Sequence, residues 1–135
     1  MTSKEIKKYQ KMSLPNLTSR AVYHFNKFIR LRDSTNGIGY CISSGQRLKV
    51  PSMNAQAGHY YSGSKHQYLR FNEDNVHLQG KSDNYFKGAN LINYRINLIK
   101  KIGIERLEKL EFRVAQQKGK VYRLDRFYLI EICEK

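Results

Sequence analysis

Acidic residues are scarce in this chain and thiols scarcer. Asp and Glu number 11 against 25 Lys and Arg, a formal net charge of +14. From Ser34 to Asn72 no acid occurs at all. Such an imbalance repels itself in a compact state and usually persists where a polyanion neutralises it. Nucleic acid is the commonest such partner. An anionic membrane surface is the rival, disfavoured because the basic residues are spread over several segments and interleaved with Tyr and Asn. Only two cysteines occur, Cys41 and Cys133. They cannot make a four-thiolate zinc knuckle, and in a cytosolic protein they are expected as free thiols. No apolar run is long enough to span a bilayer. Met1–Lys11 is basic and polar, with no apolar run behind it of the kind a secretory leader carries. No internal repeat and no low-complexity segment is found. These absences point to a soluble, cytoplasmic chain with no membrane partner.

What is present fits one domain of 135 residues with a single modest core. Residues 1–16 form a basic N-terminal segment that ends in the break and helix-entry signal Ser13-Leu14-Pro15-Asn16. Over 17–33 the apolar residues Leu17, Ala21, Val22, Phe25, Phe28 and Ile29 recur at helical spacing, with Arg20, Lys27, Arg30 and Arg32 among and opposite them. Between 38 and 90 short β-like runs alternate with turns. The candidates are Ile38–Ile42, Arg47–Val50, Ala57–Tyr61, Tyr68–Phe71 and Val76–Leu78. Residues 90–135 return to helix. Leu91, Ile92, Ile96, Leu98, Ile99 and Ile102 share a helical period that Gly103 stops. Ile104, Leu107, Leu110 and Val114 make a second short helix. Asp125 caps a last one, which buries Leu129, Ile130 and Cys133. The expected class is α+β: an N-terminal helix, a small β-hairpin unit, and C-terminal helices.

The informative stretch runs from Cys41 to Asn90. It carries Ala57-Gly58-His59-Tyr60, then Leu69-Arg70-Phe71-Asn72-Glu73-Asp74-Asn75-Val76-His77, then Asn84 to Asn90, followed by Tyr94-Arg95-Ile96-Asn97-Leu98-Ile99. These segments resemble the NinG/Rap family of lambdoid phages, described as structure-specific recombination endonucleases. The resemblance covers roughly 17 to 132, and the run from Leu69 to His77 is its most specific part. It implies an HNH-like ββα unit over 38–90, a phage or prophage origin, and DNA as the partner, branched or partly single-stranded. A homodimer stays open.

In HNH-type sites a histidine on the first strand is the general base, a loop asparagine fixes geometry, and a helix residue holds one divalent metal. By this resemblance His59 is the base and Asn75 the loop residue, with Asn84 as metal ligand. His77 is a further ligand or phosphate contact. The chemistry requires a base of near-neutral pKa beside a metal, Mg²⁺ or Mn²⁺, that stabilises the pentavalent phosphate. Arg20, Lys27, Arg30, Arg32, Lys65, Arg70, Lys87 and Arg95 are the candidate phosphate contacts.

Three departures from the family pattern stand against a simple transfer. Cys41 remains, but its partner thiols are replaced by Ser44, Gly80 and Asp83, so no structural zinc is expected. The hairpin must then be held by packing of Tyr40, Ile42, Tyr60, Phe71 and Phe86. Gly58 stands where many HNH strands carry an acid. The region is also poor in the hard carboxylates that Mg²⁺ favours, which makes Asp83 a second candidate ligand.

Blander readings stand beside these. Outside this motif His59 is an ordinary strand histidine, and His77 a buried, satisfied imidazole. The asparagines serve as turn or capping residues, and the lysines as a solvated face. Against the last, eight basic residues face one acid from Met1 to Arg32. Two further functions remain: a junction-binding protein of the same fold without catalysis, and a protein-binding inhibitor or adaptor.

Overall fold

A computed structural model describes residues 2–86 and 90–134. The first helix, α1 (Ser3–Lys11), has no fully buried residue, but Tyr9 packs half-buried against the core. Its ends are held as well: Thr2 Oγ1 accepts from the Glu5 amide at 3.2 Å, and Arg126 Nη1 donates to the Met12 carbonyl at 2.6 Å just past its C-terminus. Helix α2 (Leu14–Arg32) starts where the sequence signals it. Ser13 Oγ caps the Asn16 amide, and Pro15 occupies the first turn, where its missing N–H has no partner to lose. Its buried row Leu17, Ala21, Phe25 and Ile29 repeats every fourth residue. Each large member stabilises the fold by about 1.5–3 kcal/mol.

Two small antiparallel sheets follow. β1 (Ser34–Thr35), β2 (Ile38–Tyr40) and β3 (Arg47–Lys49) form one, in that order. β4 (Ala55–His59) and β5 (Val76–Gly80) form the other, with Gly58 opposite His77 and His59 opposite Val76. The Ile42 amide donates to the Leu78 carbonyl at 2.9 Å and joins the two sheets. A short helical turn wound wider than an α-helix, Ser82–Phe86, follows β5. The remaining helices are α3 (Leu91–Ile102), α4 (Ile104–Gln117) and α5 (Arg126–Cys133). Gly103, at φ 89°, makes the break between α3 and α4. No helix among the described residues is long and apolar enough to cross a membrane.

The class is the expected α+β. One core packs α2 against α5, Phe71 and Val76. A second joins Tyr94 and Leu98 of α3 to Leu107 and Leu110 of α4, with Ile42 and Leu69. Within the basic N-terminal segment, Ser3–Lys11 is helical. Two expectations are corrected. Tyr68–Phe71 is not a strand; a 3₁₀ turn covers Gln67–Leu69. Tyr40, expected to pack the hairpin, is 63% exposed, because the alternation of β2 buries Gly39 and turns Tyr40 outward. The side chain of Phe86 lies outside what is described.

Candidate functional site

β4 ends on His59, and its neighbour Gly58 explains why no acid precedes it. A Cβ at position 58 would lie 2.0 Å from Gln79 Oε1 and 2.8 Å from Gln79 Cβ. That side of the hairpin is also closed by Tyr94, whose hydroxyl donates to the Gly58 carbonyl at 2.6 Å. His59 projects from the opposite face, since neighbouring strand residues alternate.

His59 Nε2 lies 2.9 Å from the Arg70 carbonyl. A carbonyl only accepts, so Nε2 carries the proton and the lone pair of the neutral ring sits on Nδ1. Burial lowers the His59 pKa below its ordinary value. The Arg70 charge adds to that, and the carbonyl opposes it. The ring is thus neutral and able to accept a proton near pH 7.

Asn75 is fully buried and shapes this arrangement without entering it. Its Oδ1 accepts from the Tyr61 amide at 2.8 Å, and its Nδ2 donates to the carbonyls of Tyr61 and Leu69 at 3.0 and 3.1 Å. The clamped residues stand beside Tyr60 after β4 and beside Arg70, so one side chain sets both the strand that carries His59 and the carbonyl that orients it.

A cavity of about 440 Å³ opens at this point. It is lined by His59, Asn84, Asn26, Arg70, Ser62 and Ser64 among others. Asn84 arrives on the turn after β5. Its Nδ2 donates to Gln56 Oε1 at 2.9 Å, which leaves Oδ1 as the available atom. Asn26 comes from α2 and was not singled out in the sequence; the signal was a polar residue one turn beyond Val22, at the edge of the apolar stripe.

The other candidates are dispersed. His77 is 1% exposed and lies on the Gly58 face. There its Nδ1 accepts from Lys101 Nζ at 2.8 Å and Arg32 Nη2 at 3.1 Å, and Nε2 donates to the Asp74 carbonyl at 2.8 Å. Asp33 joins this group, bonded to Arg32 at 2.8 Å and Lys101 at 2.9 Å. Burial alone would raise its pKa, but hydrogen bonds from Arg32, Lys101 and the Leu78 amide hold it at about 2. Asp83 is buried away from the cavity, with Oδ2 3.4 Å from Cys41 Sγ and Oδ1 accepting from Asn90 Nδ2 at 2.9 Å.

Cys41, Ser44, Gly80 and Asp83 do converge. The amides of Ser44 and Gly80 donate to Cys41 Sγ at 3.5 and 3.2 Å, and Asp83 closes the group. Both cysteines are free and buried.

Among the eight basic candidates, Arg70 lines the cavity and Lys65 stands exposed just beyond it. Arg20 and Lys27 are exposed on α2, and Arg30 is half-buried. Arg32 is committed to Asp33 and to the carbonyls of Glu73 and Val76, both at 2.8 Å. Arg95 pairs with Glu111 at 3.2 Å. Lys87 lies outside the described residues.

No three His, Cys, Asp or Glu side chains gather as a metal cage among the described residues. The described lining of the cavity holds no carboxylate. Its donors are neutral amides, hydroxyls and an imidazole. This set fits a hydrated divalent cation only with an anionic ligand from elsewhere, and a nucleic-acid phosphate is such a ligand.

The family model described as Bacteriophage Lambda NinG protein matches residues 2–130. Similar proteins include the Protein ninG of Escherichia phage lambda, 41% identical over 86 residues that make up 64% of this chain and 39% of that protein. The Protein ninG of Enterobacteria phage H19B is also 41% identical, over 64% of this chain and 40% of its own length. That of Salmonella phage P22 is 40% identical, over 64% and 39%. The match thus spans about two fifths of the length of these relatives. No solved structure matches.

Proposed function

The chain belongs to the NinG family of bacteriophage proteins, and from that premise we propose that it is a nucleic-acid-binding phosphodiester hydrolase of the HNH-like type. Its substrate is DNA, branched or partly single-stranded. The observation that carries the reading is the cavity shared by His59 and Asn84, with the imidazole oriented through Nε2.

His59 Nδ1 takes a proton from water. The water oxygen bonds to phosphorus as the bond from phosphorus to one sugar oxygen breaks, and that oxygen takes up a proton from solvent. Arg70 neutralises the phosphate from the cavity wall. Asn84 Oδ1, with Asn26 on the same wall, would hold Mg²⁺ or Mn²⁺, which when bound stabilises charge on the phosphate and the departing oxygen. The exposed cations of α2 hold neighbouring phosphates. Such contacts carry little base information, so recognition follows DNA shape rather than sequence.

The test is cleavage of fork, D-loop and four-way-junction DNA with either metal by the parent and His59→Ala. General-base help is typically worth about a hundred- to ten-thousandfold. The variant should lose cleavage to that extent and keep its affinity, while His24→Ala cuts like the parent. Full cleavage by His59→Ala sinks the assignment.

The carboxylate-free lining favours a second reading, a junction-binding protein without catalysis. That reading holds if the parent and His59→Ala both bind and neither cuts.

A further inference from the structure

The loop that walls the His59 cavity has a second side. Ser62, Gly63 and Ser64 line the cavity, while the next residues, Lys65 and His66, line a separate groove of about 600 Å³ against the end of α4. Lys118 and Lys120 line it from the other flank. We propose that this groove is a second nucleic-acid contact, which holds the phosphodiester backbone next to the phosphate in the cavity. The inference rests on the nucleic-acid reading above.

Charge supports it first. All three lysines are exposed, and no ion pair joins any of them to a carboxylate among the described residues. The one acid in the groove wall, Glu111, is already bonded to Arg95 at 3.2 Å. Cations near a helix C-terminus complement its dipole, which accounts for Lys118 and Lys120. It does not account for Lys65, which comes from a distant segment of the chain to the same groove.

The occupant follows from what the groove lacks. Tyr68 is its one large ring, and that ring is taken. Its hydroxyl is bonded to His66 Nδ1 at 2.7 Å, the Arg113 guanidinium lies 4.7 Å from its centroid, and Tyr122 stands 6.0 Å away. With Arg113 over that ring and its hydroxyl engaged by His66, what the groove offers in excess is charge. It is suited to phosphates and indifferent to base identity. The two sides lie close together: the His66 amide donates to the Ser62 carbonyl at 2.8 Å, so a single turn separates the cavity from the groove and one nucleic-acid strand passes from one to the other.

The experiment compares the parent with Lys65→Gln/Lys118→Gln/Lys120→Gln. The control, Lys4→Gln/Lys7→Gln/Lys8→Gln, removes equal charge from α1. Affinity for a labelled fork DNA is measured between 50 and 200 mM salt. Each lost duplex phosphate contact flattens the plot of log affinity against log salt by about 0.9. The groove variant should therefore flatten it by about 2.7, so that the parent loses about fortyfold more affinity than the variant over this range. The control should keep most of the parent slope. A groove variant with the parent slope, or one matched by the control, overturns the inference while leaving the nucleic-acid reading intact. A parent that binds no DNA overturns both.

Discussion

Acid should loosen the joint between β5, α2 and α3, and His77 sets the pH at which it does so. The groups facing it are Lys101 and Arg32 on Nδ1, the Asp74 carbonyl on Nε2, Asp33 Oδ2 at 3.9 Å, and the Tyr94 ring at 6.2 Å. Protonation would remove the lone pair that both cations use and add a third positive charge beside a single carboxylate. Burial first, then the Lys101 charge, lower the pKa from 6.5 to about 4. Between those values the folded chain binds fewer protons than the unfolded one, so stability is full above pH 6.5 and declines toward pH 4. Linkage over these values puts the loss from pH 7 to pH 5 at about 2 kcal/mol. Asp33, held at about 2 in the fold, begins to matter only below about pH 4. The assay is urea unfolding of the parent and His77→Gln at both pH values. The variant is less stable throughout, but its loss on acidification should be about 2 kcal/mol smaller. His24, His59 and His66 shift in the same direction and are common to both chains. Equal losses in the two proteins would refute the reasoning.

Other outcomes follow from the same geometry. Because burial lowers the His59 pKa, the acid limb of kcat/KM for cleavage should titrate below the ordinary histidine value of 6.5 and disappear in any residual activity of His59→Ala. Asn75→Ala removes the partners of three backbone groups around a fully buried side chain, and should lower unfolding free energy by about 3–5 kcal/mol in urea titrations. With no carboxylate in the described cavity lining, Mn²⁺ should bind the free protein weakly and the DNA complex more tightly, as calorimetry would register. Asn84→Ala should erase that difference, and tight Mn²⁺ binding without DNA would count against the site as drawn.

Much of the fold was legible because it rests on periodicity. The α2 stripe from Leu17 to Ile29, the break at Gly103 and the Asp125 cap each follow from local chemistry written in order along the chain. Helix α1 carries no fully buried stripe: Tyr9 packs half-buried against the core, and Arg126 holds the helix end from the far end of the sequence. Tyr68–Phe71 misled for the opposite reason. Its alternating apolar residues have the period of a strand, but Leu69 and Phe71 enter two different cores. The Leu69 carbonyl that a ladder would use is taken by Asn75 Nδ2. A side chain six residues away decided the backbone, and periodicity does not register that.

The site was legible to the extent that it lay within one motif, and its hardest question was which of two adjacent residues faces the base. Successive residues on a helical turn point in different directions, and here Asp83 and Asn84 part. The sequence named both. The structure turns Asp83 to Cys41 and leaves Asn84 beside His59 in the lining. The reason connects two departures that look separate along the chain. The Gly80 amide donates to Cys41 Sγ, and the Asp83 carboxylate lies within reach of the same sulfur. The acid nearest the cavity in sequence is therefore occupied in holding the hairpin together. An Asp83→Asn exchange consequently bears on the hairpin and its stability, whereas Asn84→Asp adds to the cavity the carboxylate it lacks.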